Sequence, residues 1–479
     1  MSLKKEIIDL TKETLESSSI HAIPNITKSK FILIKIVWFI FFLISSTACA
    51  FFIYRSVTDY FNYDVVTNVK VKYQSEIKFP VVGICNLNII NSESTNDFLL
   101  KTVFRNQYPD MNGIDILRII ANSEFLNKTN KRYDIDPYDF IISCQYGGNK
   151  CDFDNDFEKY FDTQYGVCVK FNSGKNMKGS AFDQKTTYVS GYQNGLTLEL
   201  YTKSADENDY FYTIENGFSL IISNQSDFDS SNTDNINISP GTSTKIMLSK
   251  NSWKKEPKPY SDCTNDLKSP DSYSSKTYKD SFSINKTYSF FDCRKVCLDG
   301  LVRSMCNCSI IIKQNSKYDI CFANGPMINS QFKCISKVYP LFGSNPKYLE
   351  DCDCPIECEK TYFTHSVSVA EYPTLKYSNY LRNTSLIKSK YSNITYDKMK
   401  KSVSRIQIYF NEMKETVISE KIKTEMSDLV SNFGGTLGLF LGLSFLSLIE
   451  FVEIGLQILI VLFFKYNNSS KNSVKNAFF

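Results

Sequence analysis

Histidine and tryptophan are nearly absent from this chain, which has two of each among its 479 residues. Histidine is the commonest acid–base group in active sites and a frequent zinc ligand, so its scarcity argues against most hydrolytic and zinc-dependent chemistry. Nucleophile elbows, HExxH zinc motifs and P-loops are also missing from the sequence. We therefore expect that the protein is not an enzyme and has no cofactor.

A large excess of one charge is missing too. The 55 lysines and arginines nearly balance the 51 aspartates and glutamates, which leaves a formal net charge of +4. The sequence has no basic patch with interleaved aromatic residues. We therefore expect no nucleic-acid partner.

Two long apolar runs are present, and they indicate a protein that crosses a membrane twice. Residues 31–54 contain a single charge, Lys35, and residues 429–464 form an even longer run. Each run exceeds the roughly 20 residues that cross a bilayer core as a helix. A signal sequence is the alternative for the first run, but no small-residue cleavage site follows it directly. Lysines lie before the first run and after the second, so the positive-inside rule predicts that both termini are cytoplasmic.

The cysteines agree with an extracellular middle. Of 15 cysteines, Cys49 lies in the first apolar run and the other 14 fall between the two runs. An even number confined to that stretch predicts seven disulfides in an oxidising compartment. A cytosolic zinc cluster is the alternative, but the Cys-x-Cys spacings and the scarcity of histidine do not favour it. Glycosylation sequons fit the same location, and they occur at Asn127, Asn224, Asn237, Asn285, Asn383 and Asn393.

These features divide the chain into five parts: a cytoplasmic arm (1–30), a first transmembrane helix (31–54), an extracellular disulfide-rich domain (55–428), a second transmembrane segment (429–464) and a cytoplasmic tail (465–479). Apolar periodicity predicts helices over 96–106, 113–126 and 290–304. Alternating or β-branched runs predict strands at Val65–Tyr73, Phe79–Ile84, Leu196–Tyr201, Ser219–Ser223, Lys245–Ser249, Thr364–Val369 and Arg405–Phe410. The polar stretch 223–243 is expected to be an exposed loop. The fold class is α+β.

The second apolar run carries the residues that suggest a function. As one helix it would be about 54 Å long, against a hydrocarbon core of about 30 Å, so it must tilt, break or extend beyond the membrane. Gly434, Gly438 and Gly442 recur at every fourth residue, which leaves one helix face almost bare. Glu450 and Glu453 lie three residues apart and therefore on one face. Acids facing lipid are costly, so they are expected to face water or partners, or else to lie at the cytoplasmic headgroups.

The sequence resembles the degenerin/epithelial sodium channel family, which includes the acid-sensing channels. Residues 431–451, SNFGGTLGLFLGLSFLSLIEF, are similar to the family's second membrane segment. Residues 79–86, FPVVGICN, resemble its signature after the first span, and residues 352–358, CDCPIEC, resemble its cysteine-rich ending. The matched motifs run from His21 to about Glu453. The branch that the chain resembles most is the neuropeptide-gated one.

The resemblance implies a trimer around a central pore, with an extracellular domain of palm, finger and thumb. It implies a selectivity filter at Gly442, Leu443 and Ser444, pore acids at Glu450 and Glu453, and a gate at Ser431, Gly434 and Gly435. It also implies that Tyr63 contacts Tyr260 and so couples the extracellular domain to the gate. The implied disulfides are Cys85–Cys168, Cys144–Cys151, Cys263–Cys358, Cys293–Cys354, Cys297–Cys352, Cys306–Cys334 and Cys308–Cys321.

One motif departs from the family. The cytoplasmic His-Gly pair of the family is His21-Ala22 here, and alanine is costly if that turn requires a positive φ. Gating is therefore expected to differ from that of relatives with glycine.

The resemblance predicts a subunit of a ligand-gated, amiloride-sensitive, sodium-selective channel in the plasma membrane, a homo- or heterotrimer with related subunits surrounded by membrane lipid. Sodium would be the permeant ion, and an extracellular neuropeptide is the expected ligand. The alternative ligand is the proton, but Asp64 stands where acid-sensing relatives have a histidine, and the segment between Cys334 and Cys352 has acids only at Glu350 and Asp351. An ATP-gated channel and a non-conducting two-pass receptor are less consistent with the filter residues and the acids.

Overall fold

A computed structural model describes residues 22–87, 139–162, 165–202, 215–225, 235–311, 318–319, 321, 328–390 and 393–444, with single positions between 447 and 460. It consists of two compact units. The first unit combines the two ends of the chain, 1–66 and 421–479, and the second is formed by residues 67–420. Helices predicted at 96–106 and 113–126 lie outside the described residues.

The second unit is built on a large mixed sheet. Its strand order is β15-β12-β16-β9-β4-β5, and β1 also pairs with β16. At one end of this order, β12 pairs antiparallel with β15 on one side and parallel with β16 on the other. These strands are β1 (Val65–Tyr73), β4 (Ile141–Tyr146), β5 (Asn149–Lys150), β9 (Leu196–Tyr201), β12 (Thr242–Lys254), β15 (Glu359–Glu371) and β16 (Val403–Ile422).

A smaller five-stranded sheet packs in the same unit. Its order is β11-β10-β3-β7-β6, and two separate two-stranded ladders, β13-β14 and β2-β8, belong to the same unit. All six residues of β3 are buried, so this strand has no solvent-facing side. The strands are β2 (Ile77–Lys78), β3 (Val81–Asn86), β6 (Phe157–Asp162), β7 (Gly166–Phe171), β8 (Thr186–Thr187), β10 (Phe218–Ser223), β11 (Asn235–Ile238), β13 (Cys263–Thr264) and β14 (Ile356–Glu357).

The two sheets share one hydrophobic core. Leu196, Leu198 and Leu200 of β9 alternate inward, and they pack in the same buried cluster as Phe79 and Phe410. Gly195 is required just before β9, because a Cβ atom at that position would collide with the carbonyl oxygen of Ile408. The core therefore depends on close approach of β9 to β16.

The helices of the second unit lie mainly between β13 and β16. The predicted helix over 290–304 is confirmed as α5 (Phe290–Cys306). The other helices described here are α3 (Phe153–Asp156), α4 (Lys276–Ser281), α6 (Ile328–Ser344), α7 (Pro346–Glu350), α8 (Leu375–Arg382), α9 (Ser385–Lys390) and α10 (Tyr396–Lys400).

Seven disulfides cross-link the second unit. Five of them join α5 and the segments around it, and two hold strands of the sheets together. The pairs are the ones that the resemblance implies: Cys85–Cys168, Cys144–Cys151, Cys263–Cys358, Cys293–Cys354, Cys297–Cys352, Cys306–Cys334 and Cys308–Cys321. Cys49, in the other unit, is the free cysteine of the chain.

The first unit contains α1 (Ala22–Lys28), α2 (Ile32–Phe61) and α11 (Met426–Leu441). Among the described residues, α2 is the one helix that is long and apolar enough to cross a membrane. It extends beyond the predicted end at Tyr54, as far as Phe61. Its apolar side chains are mostly exposed, unlike those of a core helix in a soluble protein. α2 packs against α11, with the rings of Phe52 and Phe440 stacked 5.6 Å apart.

Candidate functional site

The second apolar segment begins with a capped helix, α11. The backbone N–H of Glu425 donates to the carboxylate of Asp428 at 2.9 Å, and the N–H of Leu429 donates to the carbonyl of Glu425 at 3.1 Å. An acid in the first turn satisfies a free backbone N–H and interacts favourably with the positive end of the helix dipole. The helix therefore starts at a defined residue, soon after β16 ends at Ile422.

The two faces of α11 differ in residue size and in burial. Leu429, Phe433, Thr436 and Phe440 follow one another at spacings of four, three and four, and they are buried or half-buried on the side of α2. The opposite face has the same spacing and carries only small residues, namely Ser431, Gly435, Gly438 and Gly442, with Gly434 beside them. Ser431, Gly434, Gly435 and Gly438 are exposed. This small face is not used to pack α11 on α2.

Two of the glycines have open space around them. A Cβ atom added to Gly434 or Gly435 would meet no described atom within 4 Å. Their backbone conformation is helical, where glycine costs about 1 kcal/mol relative to alanine. Packing within the described chain therefore gives no reason for glycine at either position.

The helix breaks at the three residues that the resemblance assigns to the filter. Gly442 has a φ of 71°, and its N–H donates to the carbonyl of Gly438 at 3.0 Å. The N–H of Leu443 then reaches back to the carbonyl of Leu437 at 3.2 Å. The bond from Gly442 to Gly438 is that of an αL C-cap, in which a left-handed residue, usually glycine, ends a helix. Residues 442–444 are therefore irregular backbone rather than helix.

Ser444 and Ser447 are linked by reciprocal hydrogen bonds after the break. The N–H of Ser444 donates to the hydroxyl of Ser447 at 3.1 Å, and the N–H of Ser447 donates to the hydroxyl of Ser444 at 3.3 Å. This reciprocal arrangement is a capping box made by two serines. The described positions from 447 to 460 are helical. In the described part of the long apolar segment, Gly442, Leu443 and Ser444 thus separate helix α11 from positions that are again helical.

The predicted pore acids are only partly covered by the structure. Glu453 is an exposed residue of the helical stretch after the break. Glu450 lies outside the described residues. The proposed role of both acids stays a prediction.

The predicted coupling residues lie in different units. Tyr63 follows the end of α2 in the left-handed conformation, with a φ of 53°, and its ring lies 6.4 Å from that of Tyr60. Tyr260 belongs to a loop of the second unit, and its N–H donates to the carbonyl of Pro257 at 3.1 Å. The carboxylate of Glu420 holds this loop by accepting from the N–H of Glu256 and the hydroxyl of Ser261. The contact between the two tyrosines stays a prediction.

The cytoplasmic motif and the sequons are partly described. Ala22 is the first residue of α1, and His21 lies outside the described residues. Among the sequons, Asn127 also lies outside them. Asn237, Asn383 and Asn393 are exposed, whereas Asn224 and Asn285 are half-buried. The side chain of Asn285 donates to the carboxylate of Asp292 at 2.7 Å. Glycosylation at these positions stays a prediction.

Sequence reasoning did not find a buried carboxylate on β9. Glu199 is 4 % exposed, and it accepts hydrogen bonds from the hydroxyls of Ser143, Tyr372 and Tyr377 at 2.7, 2.8 and 2.7 Å. Burial, reinforced by the nearby Glu199 charge, raises the pKa of Tyr372 and of Tyr377 well above the ordinary value. Both tyrosines are therefore neutral donors. This cluster fixes α8 to the large sheet.

A second buried acid organises the end of α5. Asp299 is fully buried, and it accepts from the hydroxyl of Ser309 and from the N–H of Ile310 at 2.9 and 2.7 Å. Its other oxygen pairs with Arg303. The segment that it holds begins with Cys308 and is tied back by the bond to Cys321. A sequence with one Asp four residues before an Arg predicts only an ordinary surface pair.

Comparisons with known proteins cover nearly the whole chain. The sequence profile of the family described as "Amiloride-sensitive sodium channel" matches residues 14–454. The bile acid-sensitive ion channel of Rattus norvegicus is 23 % identical over 459 residues, covering 91 % of this chain and 85 % of the relative. The FMRFamide-activated amiloride-sensitive sodium channel of Cornu aspersum is 21 % identical, with coverages of 95 % and 84 %. Acid-sensing ion channel 1 of Gallus gallus is 24 % identical, with coverages of 92 % and 83 %.

Proposed function

Because this chain belongs to the amiloride-sensitive sodium channel family, we propose that it is one subunit of a ligand-gated, sodium-selective channel of the plasma membrane. Residues 31–54 and 429–464 cross the membrane, residues 55–428 are extracellular, and both termini are cytoplasmic. Three subunits, identical or related, surround an axial pathway. Sodium is the permeant ion.

The observation that carries this proposal is the arrangement of the second apolar segment. Its small face lies opposite the face that packs on α2, and the helix is interrupted at Gly442, Leu443 and Ser444. A lipid-facing helix gains nothing from exposed glycines, and a broken backbone in the membrane is tolerated only where protein or water satisfies its polar groups. Both features favour a segment whose small face surrounds water. The interrupted turn then offers backbone carbonyls and the Ser444 hydroxyl to a passing cation.

Glu450 and Glu453 complete the pathway in this proposal. In a trimer, each position supplies three carboxylates at the same depth. A cation about 7 Å from one carboxylate gains roughly 2 kcal/mol at an effective dielectric constant near 20. That attraction enriches cations near the filter without trapping them.

The ligand that we propose is an extracellular neuropeptide. A relative whose chain matches over most of its length is activated by FMRFamide, and the residues that acid-sensing relatives use are sparse here. A proton remains the second candidate because the acid-sensing relative is equally similar in sequence. We propose that the gate of the channel lies on the small face, around Ser431, Gly434 and Gly435.

Expression in oocytes tests this function. The chain would be expressed alone and with related subunits, then exposed to FMRFamide-type amidated peptides, to an acid step and to bile acid under voltage clamp. We expect a peptide-evoked current that amiloride blocks and that reverses near the sodium equilibrium potential. A current evoked by acid and by none of the peptides would reverse the choice of ligand.

Substitution at the small face tests the pathway itself. We expect Ser431→Phe to raise resting amiloride-sensitive current several-fold, because a bulky side chain on the small face keeps the helices apart. Val430→Phe is the matched control, since this neighbouring residue is 59 % exposed but lies on the flank of the helix. Equal effects of the two substitutions, with equal amounts of protein at the surface, would contradict a pathway lined by the small face.

A further inference from the structure

Two charged residues join the ends of the two membrane segments in the first unit. The N–H of Lys423 donates to the carbonyl of Asp64 at 3.1 Å, and the Lys423 ammonium donates to the Asp64 carboxylate at 2.8 Å. The backbone and the side chains of the same two residues are therefore both paired. The resemblance assigned no role to Lys423, and it marked Asp64 only as a replacement for histidine.

The positions of the two residues are equivalent in the two halves of the unit. Asp64 comes three residues after the end of α2 at Phe61, and Lys423 comes three residues before the start of α11 at Met426. Each lies where a helix meets a strand. The pair therefore links the two segments at the point where each passes between its helix and its strand.

Neighbouring charges reinforce this link. Asp64 holds the pKa of the Lys423 ammonium above its ordinary value, mainly by accepting its hydrogen bond, and the carboxylate of Asp59 adds to the effect. Arg55 acts in the opposite direction, and it lies 3.9 Å from Asp59 in an i,i+4 pair along α2. The side chains of Lys423 and Asp64 are 49 % and 46 % exposed, so water and salt screen the pair.

We propose that the Asp64–Lys423 pair is a latch that holds the outer ends of α2 and α11 together and restrains opening. The proposal rests on the channel function given above. In a channel whose gate is on α11, opening requires movement of that helix, and a link to the end of α2 just before the first turn of α11 resists movement between the two. Asp64 and Lys423 are positioning residues, since they lie away from the ion pathway.

A reversible cross-link tests the latch directly. The variant Asp64→Cys/Lys423→Cys would be prepared in a Cys49→Ser background, so that the two new thiols are the free ones. We expect surface protein to form this disulfide on mild oxidation with copper phenanthroline, as read by peptide mapping without reduction. We also expect the amiloride-sensitive current of cross-linked channels, measured in the Ser431→Phe background, to fall at least tenfold and to recover on reduction.

Charge reversal tests the same latch without a cross-link. Asp64→Lys and Lys423→Asp should each raise resting current about two- to fivefold, the range expected for the loss of a half-exposed ion pair. The exchange of both charges should restore the resting current. The matched control is Lys254–Glu359, a similarly exposed pair at 2.7 Å that joins two strands of one sheet, and its reversal should leave resting current unchanged.

Each outcome decides one claim. If surface protein fails to cross-link, the two ends are not held together and the latch is wrong. If it cross-links with no loss of current, or if the exchanged pair does not restore the resting level, the pair does not restrain opening although the channel function stands. If no variant carries amiloride-sensitive current even after the cross-link is reduced, the proposed function fails and the latch fails with it.

Discussion

Replacement of Gly442 by alanine isolates the role of the break in the second apolar segment. Gly442 has a φ of 71°, and the three-residue turn that it begins depends on this left-handed conformation. Alanine has a Cβ atom that disfavours a left-handed backbone, whereas it favours a continuous helix. The substitution therefore changes the backbone preference of one residue and adds only a methyl group.

The magnitude follows from the conformational penalty. A left-handed backbone costs a non-glycine residue roughly 1–2 kcal/mol, and alanine in a helix gains about 1 kcal/mol over glycine. The free-energy difference between the broken and the continuous helix should then change by about 2–3 kcal/mol in each subunit. This corresponds to a change of roughly 30- to 160-fold in the equilibrium constant between the two forms. Asparagine tolerates the left-handed region better than alanine, so Gly442→Asn should be milder.

Relative permeability to sodium and potassium is the appropriate measurement. We expect Gly442→Ala to move the reversal potential in sodium–potassium mixtures strongly towards a non-selective value, with Gly442→Asn in between. Gly300→Ala is the matched control, because Gly300 lies within helix α5 of the second unit and a methyl group there would enter open space without any backbone change. If Gly442→Ala keeps wild-type selectivity, or if Gly300→Ala changes it equally, the left-handed turn does not form the filter.

Two further predictions concern the buried acids of the second unit. Asp299→Ala should lower the free energy of unfolding by about 3 kcal/mol, because it leaves Arg303 and the N–H of Ile310 without their partner. With an unfolding entropy of about 2.1 cal/mol/K per residue of the second unit, this loss lowers the melting temperature by about 4 °C. Asp271→Ala, which removes an exposed ion pair, should leave the melting temperature unchanged to within about 1 °C in the same fluorescence-detected assay. Tyr377→Phe removes one hydrogen-bond donor from Glu199 and should lower the free energy of unfolding by about 2 kcal/mol. Tyr380→Phe should leave the free energy of unfolding unchanged, because Tyr380 is 62 % exposed. Equal melting temperatures within either pair would contradict the assigned role of that acid.

Strands were predictable where turn residues or a helix end flank a β-branched or alternating run. The predictions at Val65–Tyr73 and Leu196–Tyr201 coincide with β1 and β9. The shorter runs predicted within β12, β15 and β16 were confirmed as strands, but the predictions fell short at both ends. The outer parts of these strands mix polar residues with apolar ones such as Trp253 and Val417 in no regular alternation, so their length follows from the ladders with neighbouring strands. The expectation of a loop over 223–243 was wrong for Asn235–Ile238, which forms β11 as an edge strand beside β10.

The position of the helix break was indicated by the sequence, but its contacts were not. Glycine spacing and the family motif indicated Gly442, Leu443 and Ser444, and the excess length of the apolar run required a tilt, a break or an extension. The reciprocal caps of Ser444 and Ser447 depend on three-dimensional placement, although two serines three residues apart are a weak signal of a helix start. Asp64 and Lys423 are 359 residues apart in the chain, so their pairing has no local signal at all.

Short connections join the strands β1 and β16 to the helices α2 and α11. Three residues separate α2 from β1, three separate β16 from α11, and neither connection contains glycine or proline. A connection this short cannot absorb a displacement by changing its own shape, as a long flexible linker would. β12 pairs with β16 over residues 405–410 and 415–419, and β1 also pairs with β16, so this strand is tied to its neighbours along most of its length. In the channel that we propose, a rearrangement of the large sheet would reach α11 through Lys423, Thr424 and Glu425, and the proposed latch to Asp64 acts on this connection.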